Sequence, residues 1–262
     1  MHSELLVGDL PQASQLDRAG LLLPTHFEAL KVDQKLGHLY EDALAVILNE
    51  SLRYDLIARG VQVIDSSGRT LGELDYILWD TSAECYIHLE LAVKFYLAVK
   101  TADGWQYPGP DPRDNWQRKL DRMCSHQFVL TERSETKEHL KEHYAIEVIQ
   151  VRQLIYGCLF EAVESGVRPL LHESFAANAR LGLWLLISDW TKHFSGIQEV
   201  YLIPKPLWAV PITKALLDEL ESISVAELHA LAEVRCVMFS FPDSERPYFL
   251  APDAWFNQVQ LP

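Results

Sequence analysis

The hydrophobic pattern changes period near residue 60, and that change most limits the folds open to this chain. Before it, Leu36, Tyr40, Ala43, Leu44, Ile47, Leu48 and Leu52 recur at helical spacing. The spacing predicts a helix ending near Arg59-Gly60, where glycine is a natural stop. Beyond it the period is two. Val61–Asp65, Leu71–Asp80 and Cys85–Lys100 read as three strands, with turns at Asp65–Gly68 and around Thr81–Glu84. A helix followed directly by a three-strand meander points to an α/β fold on a mixed sheet.

A loop follows at Asp103–Asp114, rich in Gly and Pro and near a dozen residues long, a length more typical of a functional loop than of a plain connection. A helix is expected from about Asn115 to Leu130, with Asp114 as its N-cap. Thr131–His143 is densely charged and reads as surface, and Ile146–Phe160 as a fourth core strand. The last hundred residues mix aromatic-rich segments (Leu181–Phe194, Val200–Val210), a helix near Thr213–Ala232 and short strands at Arg235–Phe241 and Tyr248–Leu250. The first 35 residues, broken by Pro11 and Pro24, give no assignment. Three parts result: an N-terminal segment 1–36, a core 37–160, and an α+β extension 161–262 packed on that core. Trp184, Trp190, Trp208 and Trp255 are expected in the core, because tryptophan buries large area.

Composition excludes several classes. Hydrophobic residues make up 48% of the 262 and charged residues 23%, the balance of a globular chain and not of a disordered one. The richest apolar stretches, Leu181–Ile187 and Leu89–Val99, fall short of the roughly 20 residues of a membrane span or carry charges. Met1–Leu10 contains Glu4 and Asp9 and no basic region, so no signal peptide is expected. Cys85, Cys124, Cys158 and Cys236 are widely spread and read as buried thiols, which places the chain in the cytoplasm. A net charge of −14 argues against non-specific coating of nucleic acid but not against one basic groove.

The third strand carries the chemistry. Cys85, Ile87, Leu89, Leu91, Val93, Phe95 and Leu97 share an apolar face, and Tyr86, His88, Glu90, Ala92, Lys94 and Tyr96 share the other. On the second strand Glu73, Asp75, Ile77 and Trp79 share one face. If the two strands pair as a hairpin, Asp75 approaches Glu90. Adjacent carboxylates repel unless a cation sits between them, and oxygen donors on a rigid scaffold suit Mg²⁺ or Mn²⁺ with waters and a substrate phosphate. Lys94 then stands where an amine can orient a water and stabilise developing charge. The same alternation also describes a solvated face on which Glu90 and Lys94 form a surface ion pair worth under about 1 kcal/mol.

The order of helix, meander, helix and strand, with Gly72-Glu73-Leu74-Asp75 and Glu90-Leu91-Ala92-Val93-Lys94, resembles the restriction-endonuclease-like superfamily with its PD-(D/E)xK signature over about residues 37–160. More closely, nearly the whole chain resembles the bacterial domain of unknown function family 1853. That likeness rests on Leu71–Asp75, His88–Tyr96, Gly109–Arg113, Lys119–Arg122 with His126-Gln127, and Pro204–Trp208. The superfamily resemblance implies a Mg²⁺- or Mn²⁺-dependent hydrolase of phosphodiesters in nucleic acid, DNA being the expected substrate. It implies Asp75 and Glu90 as metal carboxylates and Glu41, on the first helix, as a third. Gln127 matches a polar position of the exonuclease-type relatives, whereas the tyrosine usual one turn later is Thr131 here. The signature also departs at the amine. The usual lysine position is Ala92, so the role passes to Lys94, two residues further, or to Lys119. The alternative is a catalytically inactive nuclease-fold protein that binds nucleic acid or serves as a scaffold.

Arg113, Arg118, Lys119 and Arg122 lie within ten residues around Trp116, a candidate phosphate-contacting patch that reads equally well as a solvated helix face balanced by Asp114 and Asp121. His139-Leu140-Lys141-Glu142-His143 spells the inverted zinc-protease motif. With charge nearly all round and no third ligand downstream, it is read as a surface helix.

Overall fold

The computed structural model describes residues 5–21, 30–164 and 172–259; Pro24 lies outside them. The structure is mixed α/β, with helices around a large mixed sheet. In chain order the elements are β1 (Ser14–Gln15), α1 (Leu36–Asn49), β2 (Tyr54–Ile64), β3 (Thr70–Asp80), β4 (Cys85–Leu97), β5 (Val99–Thr101), β6 (Gly104–Gln106), α2 (Trp116–Arg122), α3 (Ser134–Tyr144), β7 (Ile149–Ala162), β8 (Leu181–Leu186), α4 (Trp190–His193), β9 (Glu199–Leu202), α5 (Lys214–Asp218), β10 (Ser222–Ser224), α6 (Val225–Ala232), β11 (Val237–Ser240), β12 (Tyr248–Ala251) and α7 (Asp253–Val259). Two compact units divide the chain. One takes Val7–Val93 and Leu120–Tyr156, the other Lys94–Lys119 and Gly157–Pro262.

In the first unit the strand order is β7-β4-β3-β2, with β1 parallel to β7. The meander β2-β3-β4 is antiparallel, with Tyr76 opposite Leu89, Ile77 opposite His88 and Leu78 opposite Ile87. Val61, Val63, Leu74, Ile77, Leu130, Leu140 and Ile146 form one of its cores. The helix expected to reach Gly60 stops at Asn49, and Tyr54–Arg59 belong to β2. Gly60 is not a helix stop. It takes φ +62 inside the strand, close to the register shift between Leu56 and Ala58, so the bulged edge absorbs the glycine. α3 is not purely surface: Thr136 and Leu140 are buried on it.

In the second unit the order is β10-β9-β11-β12-β8-β7, antiparallel as far as β12 and parallel from β12 through β8 to β7. Leu185, Trp190, Val200, Leu228, Ala232, Val237, Phe239 and Leu250 make a core there. The expected tryptophans, Trp184, Trp190, Trp208 and Trp255, are all buried. The single helix expected at Thr213–Ala232 is two, α5 and α6, with β10 between them. Two of the cysteines, Cys158 and Cys236, are buried and the other two half-buried, all four as free thiols. Among the described residues no helix is long and apolar enough to cross a membrane.

Candidate functional site

The register of the first unit builds the site. Ile77 faces His88 and Trp79 faces Tyr86 across the β3/β4 ladder. Paired residues point to the same side of a sheet, so Asp75, two before Ile77, and Glu90, two after His88, lie on that same side. The Oδ2 of Asp75 accepts a hydrogen bond from the Leu91 amide at 2.9 Å. A side chain thus continues the contact between the strands just past the Tyr76–Leu89 pair, which fixes the half-buried carboxylate of Asp75 at the head of the ladder.

Glu90 is buried, with 3% of its surface exposed. Its Oε1 accepts from the Nε2 of Gln127, and its Oε2 lies 3.7 Å from the Nε2 of His88. A buried carboxylate is costly unless donors or cations surround it, and Gln127 supplies one such donor. The local backbone explains how Gln127 gets there. After α2 the chain makes a π turn over Met123–Gln127, closed by the Phe128 amide on the Met123 carbonyl at 2.9 Å. Such wide turns occur often at functional sites, and this one carries Gln127 to Glu90. His88 is fully buried, neither of its ring nitrogens has a hydrogen-bond partner among the described residues, and burial pushes its pKa down to about 4.

The other expected residues are placed differently. Glu41 sits on α1 with its carboxylate 3.3 Å from the Nδ1 of His38. Tyr76, on the strand face opposite to that of Asp75, donates to the Glu41 backbone carbonyl. Among the described residues no three His, Cys, Asp or Glu side chains stand together as a group that could hold a metal ion, so Glu41, Asp75 and Glu90 are not gathered as one. A magnesium-class ion takes one or two carboxylates together with waters and a phosphate, and Asp75 and Glu90 are two carboxylates on one strand face.

Lys94 belongs to the second unit and lies 4.0 Å from Asp114. Asp114 is not the cap of α2; the Asn115 side chain takes that position and accepts from the Gln117 amide at 3.0 Å. Arg113 is bound through its guanidinium to the Asp111 carboxylate. Arg118 donates to the Arg113 carbonyl at 2.6 Å. Both arginines line one cavity of about 500 Å³ in the second unit, with Gln106, Asn115 and Gln258 among its other walls. Lys119 is half-buried, and Arg122, in the first unit, is exposed. Trp116 is fully buried, stacked on Phe175 and bonded to Ser174, which removes it as a platform for a base.

His139 and His143 of α3 stack with ring centroids 4.2 Å apart, and the Nδ1 of His143 lies 3.0 Å from the His139 carbonyl. The zinc-protease spelling therefore falls on a stacked pair of imidazoles on a helix.

Comparison with known proteins settles the family. The model of the family described as domain of unknown function (DUF1853) matches residues 12–238. The chain belongs to this family. No curated protein and no solved structure matches it. The family span takes in the whole meander, the π turn and β7, so Asp75, His88, Glu90 and Gln127 all lie inside it.

Sequence reasoning placed Asp75 and Glu90 on one face and named Gln127 through resemblance alone. It put His88 on the Glu90 face by alternation but assigned it no role. The signal was its position two residues before the carboxylate on a strand, where a side chain must point the same way.

Proposed function

We propose that this DUF1853 protein is a divalent-metal-dependent phosphodiester hydrolase acting on nucleic acid, DNA in the first instance, with a restriction-endonuclease-like core. The observation that carries this reading is the buried Glu90, held by Gln127 and set beside His88 on the strand face it shares with Asp75. A carboxylate kept in so costly a place by a turn of unusual width has a purpose beyond packing. Mg²⁺ or Mn²⁺ is the proposed cofactor, with Asp75 and Glu90 as its protein donors. Such an ion polarises a phosphoryl oxygen and lowers the pKa of a bound water. The chain's own part is to orient: Gln127 fixes the rotamer of Glu90, and the Leu91 amide fixes that of Asp75.

The test is cleavage of supercoiled, linear and single-stranded DNA and of RNA by the purified full chain with Mg²⁺ or Mn²⁺. Cleavage of at least one substrate is expected. Loss of about 100-fold or more is expected in Asp75→Asn and Glu90→Gln, in line with removal of a group that acts in the transition state. Activity unchanged in both variants would refute the assignment. The second reading, an inactive nuclease-fold module that binds nucleic acid, is favoured by Ala92 in the usual lysine position and by the pairing of Lys94 with Asp114. It predicts salt-sensitive DNA binding with no cleavage under any metal.

A further inference from the structure

We propose that the cavity of the second unit walled by Arg113 and Arg118 is a binding site for a nucleoside monophosphate, with the phosphate on the two guanidinium groups and the base edge on the carboxamides of Gln106, Asn115 and Gln258. The inference goes beyond the hydrolase reading and does not rest on Asp75 or Glu90, because every residue lining this cavity belongs to the second unit. The volume of about 500 Å³ falls in the range of roughly 300–1,000 Å³ usual for small-molecule sites. Two arginines line the cavity and no carboxylate does, in a chain whose net charge is −14. The Asp111 carboxylate takes the Nε and Nη2 of Arg113 at 3.0 and 2.7 Å. That pairing fixes the guanidinium plane and leaves Nη1 to donate elsewhere. Arg118 donates through Nη2 to the neutral Arg113 carbonyl at 2.6 Å and makes no ion pair among the described residues. Its positive charge is therefore open to an anion. A guanidinium fork matches phosphate oxygens and binds them through charge-assisted hydrogen bonds.

The rest of the wall selects the organic part of the ligand. A carboxamide carries donor and acceptor side by side, the pattern with which Asn and Gln pair to the edge of adenine. The side chains of Gln106 and Gln258 make no hydrogen bond among the described residues. The Oδ1 of Asn115 accepts from the Gln117 amide, so its Nδ2 is the atom left to donate. Pro108, Pro112 and Val259 add apolar surface on which a ring can pack. Inorganic phosphate would use the arginines and leave the amides and the apolar wall idle, and a nucleoside would leave the arginines idle. A nucleoside monophosphate uses all three. A second cavity of this unit, about 170 Å³, has Glu164 and Asp189 in its wall and repels the same anion.

The experiment is calorimetric titration of the purified full chain, at low salt and in EDTA, with the 5′-monophosphates of adenosine, guanosine, cytidine and uridine. Inorganic phosphate, the parent nucleosides and a short single-stranded oligonucleotide are titrated separately. The expected result is one nucleoside monophosphate per chain, with at least one base bound ten-fold or more tightly than inorganic phosphate or its own nucleoside. Arg118→Gln, at an exposed position, should weaken that nucleotide ten-fold or more and flatten its salt dependence. The double variant Gln106→Ala/Gln258→Ala should weaken the nucleotide three-fold or more while leaving inorganic phosphate within two-fold. Inorganic phosphate bound as tightly as every nucleotide would overturn the proposal, since the amides would then read nothing. Nucleotide affinity unchanged in Arg118→Gln, or no binding at millimolar ligand, would overturn it too. An oligonucleotide bound ten-fold more tightly than any monophosphate would replace it with strand binding. EDTA keeps metal-dependent hydrolysis out of the titration, so failure here leaves the assignment of Asp75 and Glu90 standing.

Discussion

Arg53 holds two carboxylates of the first unit: it pairs with Asp17 and reaches the buried Asp80 with two nitrogens at 3.0 and 2.9 Å. The guanidinium and the amides of Ser82 and Ala83 keep the Asp80 carboxyl below its usual 3.8. A depressed pKa means the contribution to stability is complete above the unfolded value and is lost as the pH falls through the folded one. Arg53→Met leaves Asp80 buried beside no cation, so denaturant unfolding at pH 7 should show a loss of about 3 kcal/mol, and the gap to the parent should narrow as the pH falls below about 4. Equal stability of the two proteins at pH 7 would contradict this. Gly157 makes a harder demand. At φ +150 inside β7, a Cβ would stand 1.7 Å from the Lys94 carbonyl oxygen. Gly157→Ala should therefore fail to accumulate as folded protein, or lose more than about 3 kcal/mol. Neither restraint was legible in the sequence, because both depend on which residue a distant segment brings alongside. The shared face of Asp75 and Glu90 was legible, because strand alternation alone fixes it.

At the scale of elements, β3 and its turns were read closely, since period-two alternation between polar turns is a strong local signal. β2 was half missed. Leu52 continued the helical spacing of α1, and Gly60 looked like its stop, yet tertiary pairing with β3 draws Tyr54–Arg59 into the sheet. α3 was misjudged for a different reason. Its attachment rests on Thr136 and Leu140, too few for an apolar stripe, and only the cluster with Val63, Leu74 and Ile146 reveals their worth. Leu140→Ala should cost about 2–4 kcal/mol in chemical denaturation, where a surface helix would lose almost nothing. α6 offers a cleaner case. Ser224 and Glu227 form a reciprocal capping box, so Ser224→Ala should cost about 1 kcal/mol. The π turn had no sequence signal at all. Its i to i+5 closure became visible only with coordinates, and it is the element that delivers Gln127 to Glu90.

For the whole molecule, the acidic balance of −14 makes any contact with nucleic acid a local affair of a few arginines and lysines. The four thiols are all free, and burial pushes that of Cys236 up to about 12 and raises that of Cys124. Alkylation of the native protein at pH 8 should therefore spare Cys158 and Cys236, and mass spectrometry of the digest would show it; modification of Cys236 before unfolding would contradict the packing described. Membership of DUF1853 was readable from the residues that the family span covers, whereas the proposed chemistry rests on one strand face and one turn. The most direct measurement of that chemistry is a crystal of the full chain soaked in Mn²⁺, with anomalous diffraction recorded at the manganese edge. A single anomalous peak in contact with both the Asp75 and Glu90 carboxylates is the predicted result. A saturated crystal with no peak there, or with its only peak at His139 and His143, would contradict it.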